Sequence, residues 1–447
     1  MNVLSIIVQL LVSLSILVVL HELGHFIPAK LFKTRIEKFY LFFDPWFSLV
    51  RKKIGDTVYG IGWLPLGGYV KIAGMVDESL DMEQMKQPPQ PWEFRSKKTW
   101  QRLIIMLGGV TVNFILGFLI FGLMLFAYGE QFLPAKNLEY GIAVDSLGYQ
   151  IGLRDGDHIL KVGEKTFEQF NPATLVRGIV IDNAKDITVK REGATMTVPV
   201  DPKYVGVLSS YKSQRASILE PRIPFVIKEV LPNSPAQAAG LQKGDRLIAF
   251  AGGPTPYYQD FVKKLKGSKE KEVEIGYQRG QAFYNARITP TAEGIIGVGF
   301  ERLDYYFDFE RREYTLLQAL PAGVSHGWVF LVTQLKAFGQ IFKGKIKATE
   351  SLGGFGTIAQ LFPESWDWEI FWRNTAYLSL ILAFMNLLPI PALDGGHVMF
   401  LIYEAVTGRK PGDKFMEYST IIGFALVLGL VLFANGLDVW RWVTSRF

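Results

Sequence analysis

Apolar stretches long enough to cross a membrane interrupt the polar pattern of this chain four times. They cover residues 3–20, 103–128, 375–393 and 418–437, and a spanning helix needs about 20 residues. The first stretch lacks a positively charged start and a small-residue cleavage site, so we interpret it as a retained helix and not as a signal peptide. The pattern predicts a multi-pass α-helical membrane protein with four spanning helices.

A repeat lies in the long polar segment between the second and third stretches. Residues 152–157 and 240–245 both read Gly-Leu-x-x-Gly-Asp, at an offset of 88 residues (240 minus 152), and each copy precedes an apolar strand. Turn chemistry explains a single copy, whereas two copies at a domain-sized offset indicate two tandem small domains. The pattern resembles PDZ domains, which are β-rich α+β modules that bind extended peptides at a sheet edge.

Two further segments complete the organisation. Residues 306–370 have the spacing of amphipathic helices, which suits either packing or the membrane surface. Residues 58–72 read as two apolar strands joined by a Pro/Gly turn, a β-hairpin of about residues 56–74. This hairpin is too apolar for a free loop, so we expect it to associate with the membrane face and to offer an edge for pairing.

Charge sets the expected orientation. Residues 1–20 contain no Lys or Arg, whereas residues 28–100 are rich in both. The positive-inside rule therefore places the N-terminus outside, the 28–100 loop in the cytoplasm and the 129–370 segment outside. Arg441 and Arg446 favour the opposite side for the C-terminus.

Composition excludes several classes of function. The net charge of +6 is modest, and no basic run interleaved with aromatic residues indicates nucleic-acid binding. The chain has no cysteine, which rules out disulfides, iron–sulfur clusters and thiolate zinc sites. A mean hydropathy of +0.18 with 20% charged residues fits spanning helices combined with water-soluble domains.

The motif His21-Glu22-Leu23-Gly24-His25 ends the first apolar stretch. On a helix its two imidazoles lie on one face, about 6 Å apart along the axis. Both can bind one Zn²⁺, and Glu22 beside them can act as general base for the attacking water. Ionisable groups at the end of a spanning helix are costly, which favours a functional role over structural histidines.

A catalytic zinc needs a third protein ligand. His158 and His326 lie in the outer segment of the predicted topology, whereas Asp394 follows the third apolar stretch and reaches the same face as His21 and His25. The alternative for Asp394 is a helix-end aspartate in a Gly-Gly turn. For His397 we expect a local cap, with a role as ligand or neighbour of a ligand as the alternative.

Two prolines break the third helix just before Asp394. Broken helix at membrane depth is tolerated where it is buried or lines a wet cavity, and such a cavity can hold an extended substrate. The predicted substrate contacts are Asn386, Pro389, Pro391, Gly67, Gly68, Tyr69, Val70 and Lys71. A helix–helix hydrogen bond is the other interpretation of Asn386.

Together these motifs, with Gly-Gly-Tyr-Val-Lys at 67–71, Asn113 and the Asn386–His397 segment, resemble the bacterial site-2 proteases over essentially the whole chain. The resemblance implies an inner-membrane protease with zinc held by His21, His25 and Asp394. It further implies that single-span membrane proteins are cut after an earlier trimming step, among them an anti-sigma factor and leftover signal peptides. The periplasmic PDZ pair would act as a size filter. Residues 352–356 depart from the family, where relatives carry Ser-Gly-Pro.

The domain boundaries follow from these assignments. They are 1–27, 28–100, 101–128, 129–215, 216–305, 306–370, 371–396 and 397–447.

Two other functions are also compatible with parts of the sequence. A membrane-anchored PDZ scaffold explains the repeat but neither Glu22 nor Asp394, and a transporter would require paired broken helices that the pattern lacks.

Overall fold

The computed structural model describes residues 3–75, 87–209 and 218–444. Part of the predicted cytoplasmic loop (76–86), the end of the first predicted PDZ-like domain (from residue 210) and Arg446 lie outside the described residues. The chain divides into two compact units. The first comprises Met1–Gly129, Glu313–Lys336 and Leu352–Phe447, and the second comprises Glu130–Arg312 and Ala337–Ser351.

The helices of the described residues are, in chain order, α1 Val3–Leu31, α2 Thr99–Tyr128, α3 Ser146–Ile151, α4 Pro172–Val180, α5 Lys203–Leu208, α6 Pro235–Ala238, α7 Tyr258–Leu265, α8 Leu303–Tyr306, α9 Leu316–Phe342, α10 Ala348–Ser351, α11 Phe355–Ala359, α12 Trp368–Leu387, α13 Asp394–Thr407 and α14 Asp413–Thr444. The strands are β1 Ile36–Ile54, β2 Thr57–Ile72, β3 Glu130–Phe132, β4 Ile142–Val144, β5 His158–Val162, β6 Lys165–Thr166, β7 Asp186–Arg191, β8 Ala194–Pro199, β9 Leu219–Pro221, β10 Phe225–Val230, β11 Arg246–Phe250, β12 Gly253–Pro254, β13 Val273–Arg279, β14 Ala282–Ile288, β15 Val298–Phe300 and β16 Glu310–Arg312.

Glycine contacts bring α1 and α2 together in the first unit. A Cβ on Gly24 would lie 2.5 Å from the carbonyl oxygen of Gly108 and 2.7 Å from the Cα of Gly109. Backbones approach this closely only where small residues face each other, as is common in membrane helix pairs. The helix that carries the zinc motif is thus held directly against α2.

Helix α12 runs parallel to α1 and is bound to it by polar contacts. Ser13 Oγ lies 2.9 Å from Thr375 Oγ1, and further along both helices Asn386 Nδ2 lies 3.3 Å from His21 Nε2. Because the residue numbers of these contacts increase in the same direction along both helices, the two helices end on the same side. That side is where Asp394 follows α12.

Four helices of the described residues are long and apolar enough to cross a membrane: Val3–Leu31, Thr99–Tyr128, Leu316–Phe342 and Lys414–Thr444. Three of them contain predicted stretches, and Leu316–Phe342 does not. The predicted third stretch instead corresponds to α12, which has 20 residues and includes Glu369 and Arg373 near its start. Helix α12 ends at Leu387, because the prolines at 389 and 391 cannot continue it.

Helix α9 corrects the prediction that residues 306–370 form only amphipathic helices. A Cβ on Gly323 would lie 2.3 Å from the backbone nitrogen of Gly122, and one on Gly327 would lie 2.5 Å from the Phe118 ring. Helix α9 therefore packs antiparallel against the C-terminal half of α2. Its few polar residues are spread along the helix, which is why its apolar character was underestimated.

The pairing predicted for the hairpin of residues 56–74 is wrong: its two strands do not pair with each other but lie on either side of residues 36–43 of β1. Residues 36–41 of β1 pair with both 58–61 and 68–72 of β2, and residues 48–54 pair with 57–62. The order of segments is thus 48–54, 57–64, 36–43 and 68–72. By this register 57–64 runs parallel to 36–43, and the other two neighbouring pairs run antiparallel. Among the described residues the segment 68–72 lies at one edge of this sheet, and we call it the edge segment. The sequence pattern missed β1 because its lysines, arginines and Pro45 hide the strand period.

The second unit contains two β-rich modules. The first has the sheet β6-β5-β7-β8, the pair β4–β9 and helix α4, and the second has the sheet β14-β13-β11-β10-β15, with β12 beside β11 and helix α7. A short pair, β3–β16, adjoins them in this unit. Each module has its own apolar core, built around Leu153, Leu175 and Ile187 in the first and around Leu247, Phe261 and Ile275 in the second.

The same ion pair recurs in both modules. Arg191 donates to the buried carboxylate of Asp157 at 2.7 and 2.8 Å, and Arg279 donates to that of Asp245 at 2.7 Å twice. Both residues of the second pair lie 88 positions after those of the first (245 minus 157; 279 minus 191). The sequence repeat is therefore also a repeat of a buried structural contact.

Candidate metal centre

The end of α1 directs two imidazoles to one point. His21 and His25 are 7% and 6% exposed, and their Nε2 atoms lie 3.3 Å apart. One helical turn separates the two residues, so the spacing of the motif alone brings the rings to the same face.

Asp394 reaches this point from a break between α12 and α13. Pro389 and Pro391 lie in the break, and Ala392 adopts a positive φ of 84°. Gly395 has no room for a side chain, since a Cβ there would lie 2.2 Å from the Leu388 carbonyl oxygen. The chain thus turns sharply and presents Asp394 at the start of α13.

The carboxylate completes a cluster with the imidazoles. Asp394 Oδ2 lies 3.2 Å from Nε2 of His21 and 3.2 Å from Nε2 of His25. The three ligand atoms all lie within 4.8 Å of one another, and this is the group among the described residues that could hold a metal ion. Asp394 Oδ2 has no hydrogen-bond partner of its own in the described structure. Two nitrogens and one oxygen facing a common point suit a tetrahedral zinc with one open position.

Glu22 faces the edge segment of the β1–β2 sheet. A Cβ on Gly68 would lie 3.6 Å from Glu22 Cγ, and Glu22 and Val70 both line the same cleft. In an antiparallel edge strand, alternate backbone groups point away from the sheet. The group proposed as base therefore lies beside the edge at which an added strand would pair.

Helix α2 supports both histidines from behind. His25 Nδ1 lies 2.8 Å from the carbonyl oxygen of Ile105, and His21 Nδ1 lies 3.2 Å from the amide of Asn113. Between them, a Cβ on Gly109 would lie 2.3 Å from His25 Nε2. Positions 105, 109 and 113 share one face of α2 because they are spaced by four residues.

A cleft of about 820 Å³ opens onto the metal cluster. Its walls come from α1, the β1–β2 sheet, the break before α13, and the side of α14 that carries Thr420, Phe424, Val427, Leu428 and Val431. All these elements belong to the first unit. The volume is within the usual range for a ligand site.

Most of the predicted substrate contacts line this cleft. They are Gly67, Gly68, Tyr69, Val70, Lys71 and Asn386, and His397, for which a cap was expected, also lines the cleft. Pro389 and Pro391 are in the adjoining loop but are not part of the wall, where Ala392 and Leu393 stand instead. Pro391 turns its carbonyl oxygen toward Gly423 of α14, at 1.6 Å from a Cβ built there, so its role is to pack that helix.

Comparison with known proteins identifies the family. Residues 9–430 match peptidase family M50. The chain belongs to family M50, the site-2 proteases. This M50 chain is accordingly a zinc-dependent metalloprotease.

Relatives match the M50 chain over nearly its whole length. A Neisseria meningitidis protein named as a zinc metalloprotease is 29% identical and covers 96% of this chain and 97% of its own. The regulator of sigma E protease of Haemophilus influenzae is 28% identical over 96% of this chain and 98% of its own. RseP of Escherichia coli is 26% identical over 95% and 96%. Among solved structures, the PDZ domain of an SdrC-like protein from Listeria monocytogenes matches at 25% identity, covering 19% of this chain and 90% of that chain with a TM-score of 0.16.

One polar cluster in the cleft of the M50 protease was not predicted. Tyr69 Oη donates to Asp44 Oδ1 at 2.7 Å, and Lys38 Nζ lies 3.3 Å from Tyr69 Oη. Lys38 and Asp44 both line the cleft. The sequence does contain a signal for this cluster, because Lys38 and Asp44 lie within an apolar segment, and charged residues in such a segment of a membrane protein suggest function. The supporting roles of Ile105 and Gly109 had no such signal, since one acts through its backbone and the other through the absence of a side chain.

Proposed function

We propose that this M50 protease cuts the membrane-spanning segment of single-span proteins inside the bilayer. His21, His25 and Asp394 hold the zinc, and Glu22 is the general base. The observation that carries the proposal is the convergence of His21 Nε2, His25 Nε2 and Asp394 Oδ2 within 4.8 Å at the floor of a cleft among apolar helices.

The residues divide the chemistry of peptide hydrolysis among them. Bound zinc supplies a Lewis acid that polarises the scissile carbonyl and the attacking water. Glu22 takes the proton of that water and returns it to the amine of the leaving chain. The two imidazoles are buried, Asp394 is partly buried with its Oδ2 atom shielded from solvent, and bulk water therefore competes little for these ligand atoms.

The substrate is proposed to lie extended along the edge segment. A helical span hides its carbonyls in hydrogen bonds, so it must unwind before cleavage. The edge segment offers a strand to which an extended peptide can be added, and it lies beside Glu22, whose Cγ is 3.6 Å from a Cβ built on Gly68. Asn386 Nδ2, 3.3 Å from His21 Nε2, is placed to donate to a substrate carbonyl near the scissile bond.

Charge supports an inner-membrane orientation with the active site on the cytoplasmic side. The 28–100 loop is rich in Lys and Arg, and the last two turns of α1, which carry His25 and Lys30, lead into this loop. By the positive-inside rule, that end of α1 faces the cytoplasm. Residues 129–312, with the two β-rich modules, then lie in the periplasm.

We propose that these modules are tandem PDZ-like domains that exclude untrimmed substrates. Their shared Asp–Arg pairs, at 157/191 and 245/279, support a common origin. Relatives named for regulation of sigma E suggest a trimmed anti-sigma factor as one substrate, and remnant signal peptides have the same single-span form.

A cleavage assay with a matched pair of variants tests the function. A model single-span substrate, truncated on its outer side, is incubated with wild type, Glu22→Gln and the exposed control Glu369→Gln, and the zinc of each protein is counted. We expect cuts within the span by wild type and Glu369→Gln. Glu22→Gln should keep zinc and lose at least about 10²-fold in rate. No cleavage and no zinc in the wild type would favour a membrane scaffold.

A further inference from the structure

Asn113 stands apart from the other polar residues of α2. Its side chain is fully buried (0% exposed), halfway along a helix of 30 mostly apolar residues. A buried amide without partners is costly, so its contacts should explain its presence. One polar atom of its amide, written as Nδ2, lies 3.2 Å from His21 Nδ1. The other, written as Oδ1, has no hydrogen-bond partner among the described residues.

Helix packing does not account for this side chain. The α2–α12 contact at this level uses the backbone of Asn113, whose carbonyl oxygen accepts a hydrogen bond from Ser379 Oγ at 2.7 Å. Any residue at position 113 would provide that carbonyl. The amide itself is therefore directed to the imidazole of His21 and not to a neighbouring helix.

The tautomer of His21 decides which amide atom faces the ring. His21 Nε2 points to Asp394 Oδ2, at 3.2 Å, so a metal at the cluster takes the lone pair of Nε2. A neutral imidazole then carries its proton on Nδ1. The amide atom that faces Nδ1–H must be an acceptor, so it is the oxygen of Asn113. A half-turn about the last side-chain bond exchanges the positions of the amide oxygen and nitrogen.

We propose that Asn113 is a positioning residue of the zinc site, whose amide oxygen accepts the Nδ1–H of His21 and holds that ligand in its metal-binding tautomer. The proposal rests on the ligand set proposed above. It also explains an asymmetry in the site. His25 is oriented by the backbone carbonyl of Ile105, at 2.8 Å, which substitution cannot remove, whereas His21 depends on a side chain.

Zinc affinity is the direct readout. Losing the partner of a ligating histidine typically lowers metal affinity by about 10–100-fold. Asn113→Leu has a similar shape and no acceptor, whereas Asn113→Asp restores an acceptor oxygen. Ser379→Ala is the control for helix packing, because it removes the other hydrogen bond at this position and leaves the amide in place.

The full-length variants are compared by chelator competition for Zn²⁺ and by the absorption spectrum after Co²⁺ replacement. We expect Asn113→Leu to bind Zn²⁺ about 10–100-fold more weakly with an altered Co²⁺ spectrum. Asn113→Asp and Ser379→Ala should stay near wild type. Unchanged affinity and spectrum in Asn113→Leu would overturn the proposal, as would an Asp variant as weak as the Leu variant. Wild type that binds no zinc would instead count against the ligand set itself.

Discussion

Gly109 leaves room for the His25 ring: a Cβ at position 109 would lie 2.3 Å from His25 Nε2. The same Cβ would lie 2.7 Å from His21 Cε1. Both distances are shorter than any stable carbon contact, so α2 needs glycine here for the two imidazoles to meet a metal between the helices.

The change Gly109→Ala should therefore disable the metal site. We expect zinc affinity to fall at least about tenfold, because the ring of a ligand must move. Chelator competition on the purified protein measures this. Gly429→Ala is the matched control, since α14 has open space around Gly429. Normal zinc affinity in Gly109→Ala would show that the imidazoles do not need this space.

The edge segment can be displaced without touching a ligand. In Gly68→Ala the new Cβ would lie 2.6 Å from Val18 Cγ1 and 2.7 Å from the Tyr40 carbonyl oxygen. We expect zinc to be retained while kcat/KM falls, because the strand that pairs with substrate is pushed from α1.

Steady-state cleavage and zinc counting on the same preparation separate these effects. Gly412→Ala, with open space around it, serves as the comparison. Equal kcat/KM for Gly68→Ala and wild type would argue against pairing of substrate at this edge.

The repeated ion pairs should stabilise each β-rich module separately. Arg279→Met leaves the fully buried Asp245 carboxylate without its partner, which should destabilise the second module. Hydrogen exchange of the full chain should then rise in the second module, and Arg191→Met should do the same in the first.

The exposed pair of Arg287 and Glu272, 3.9 Å apart, provides the control. Arg287→Met should change exchange very little, because exposed pairs contribute at most about 1 kcal/mol. Equal exchange in all three variants would mean that the buried pairs do not hold the modules together.

Asp438 attaches the end of α14 to the turn before α11. Its carboxylate accepts hydrogen bonds from the backbone of Gly354 and Thr357 at 3.0 and 2.9 Å. Asp438→Ala should lower stability by about 1–2 kcal/mol, as loss of a helix cap does, and Asp438→Asn should retain most of it. Thermal unfolding and hydrogen exchange over residues 354–362 measure this. A fully stable Asp438→Ala variant would contradict this role.

The sequence prediction of the metal cluster rested on the local spacing of the histidines and on the order of the apolar stretches. The four-residue spacing of His21 and His25 predicted their common face, and the order of the predicted apolar stretches put Asp394 on the same side; in the structure α12 runs parallel to α1 and so leads to that side. The structure brings all three together. The break at Pro389 and Pro391 was equally readable, because proline cannot continue a helix.

What sequence could not provide were contacts between distant elements. Strand β1 pairs with two separate segments of β2. This register depends on tertiary packing, and the mixed polar and apolar pattern of β1 does not indicate it. The carbonyl of Ile105 and the missing side chain of Gly109 support the histidines without any chemical signature. Pro391 adjoins the cleft without lining it, and its carbonyl oxygen contacts Gly423 of α14, a contact that the local sequence does not indicate.

The ligand role of Asp394 is the central claim, and zinc stoichiometry tests it most directly. Asp44 is another carboxylate that lines the same cleft, so Asp44→Ala is matched to Asp394→Ala in the charge that it removes. We expect about one zinc per chain in the wild type and in Asp44→Ala, and almost none in Asp394→Ala, because two imidazoles alone hold zinc weakly. One full zinc in Asp394→Ala would contradict the account.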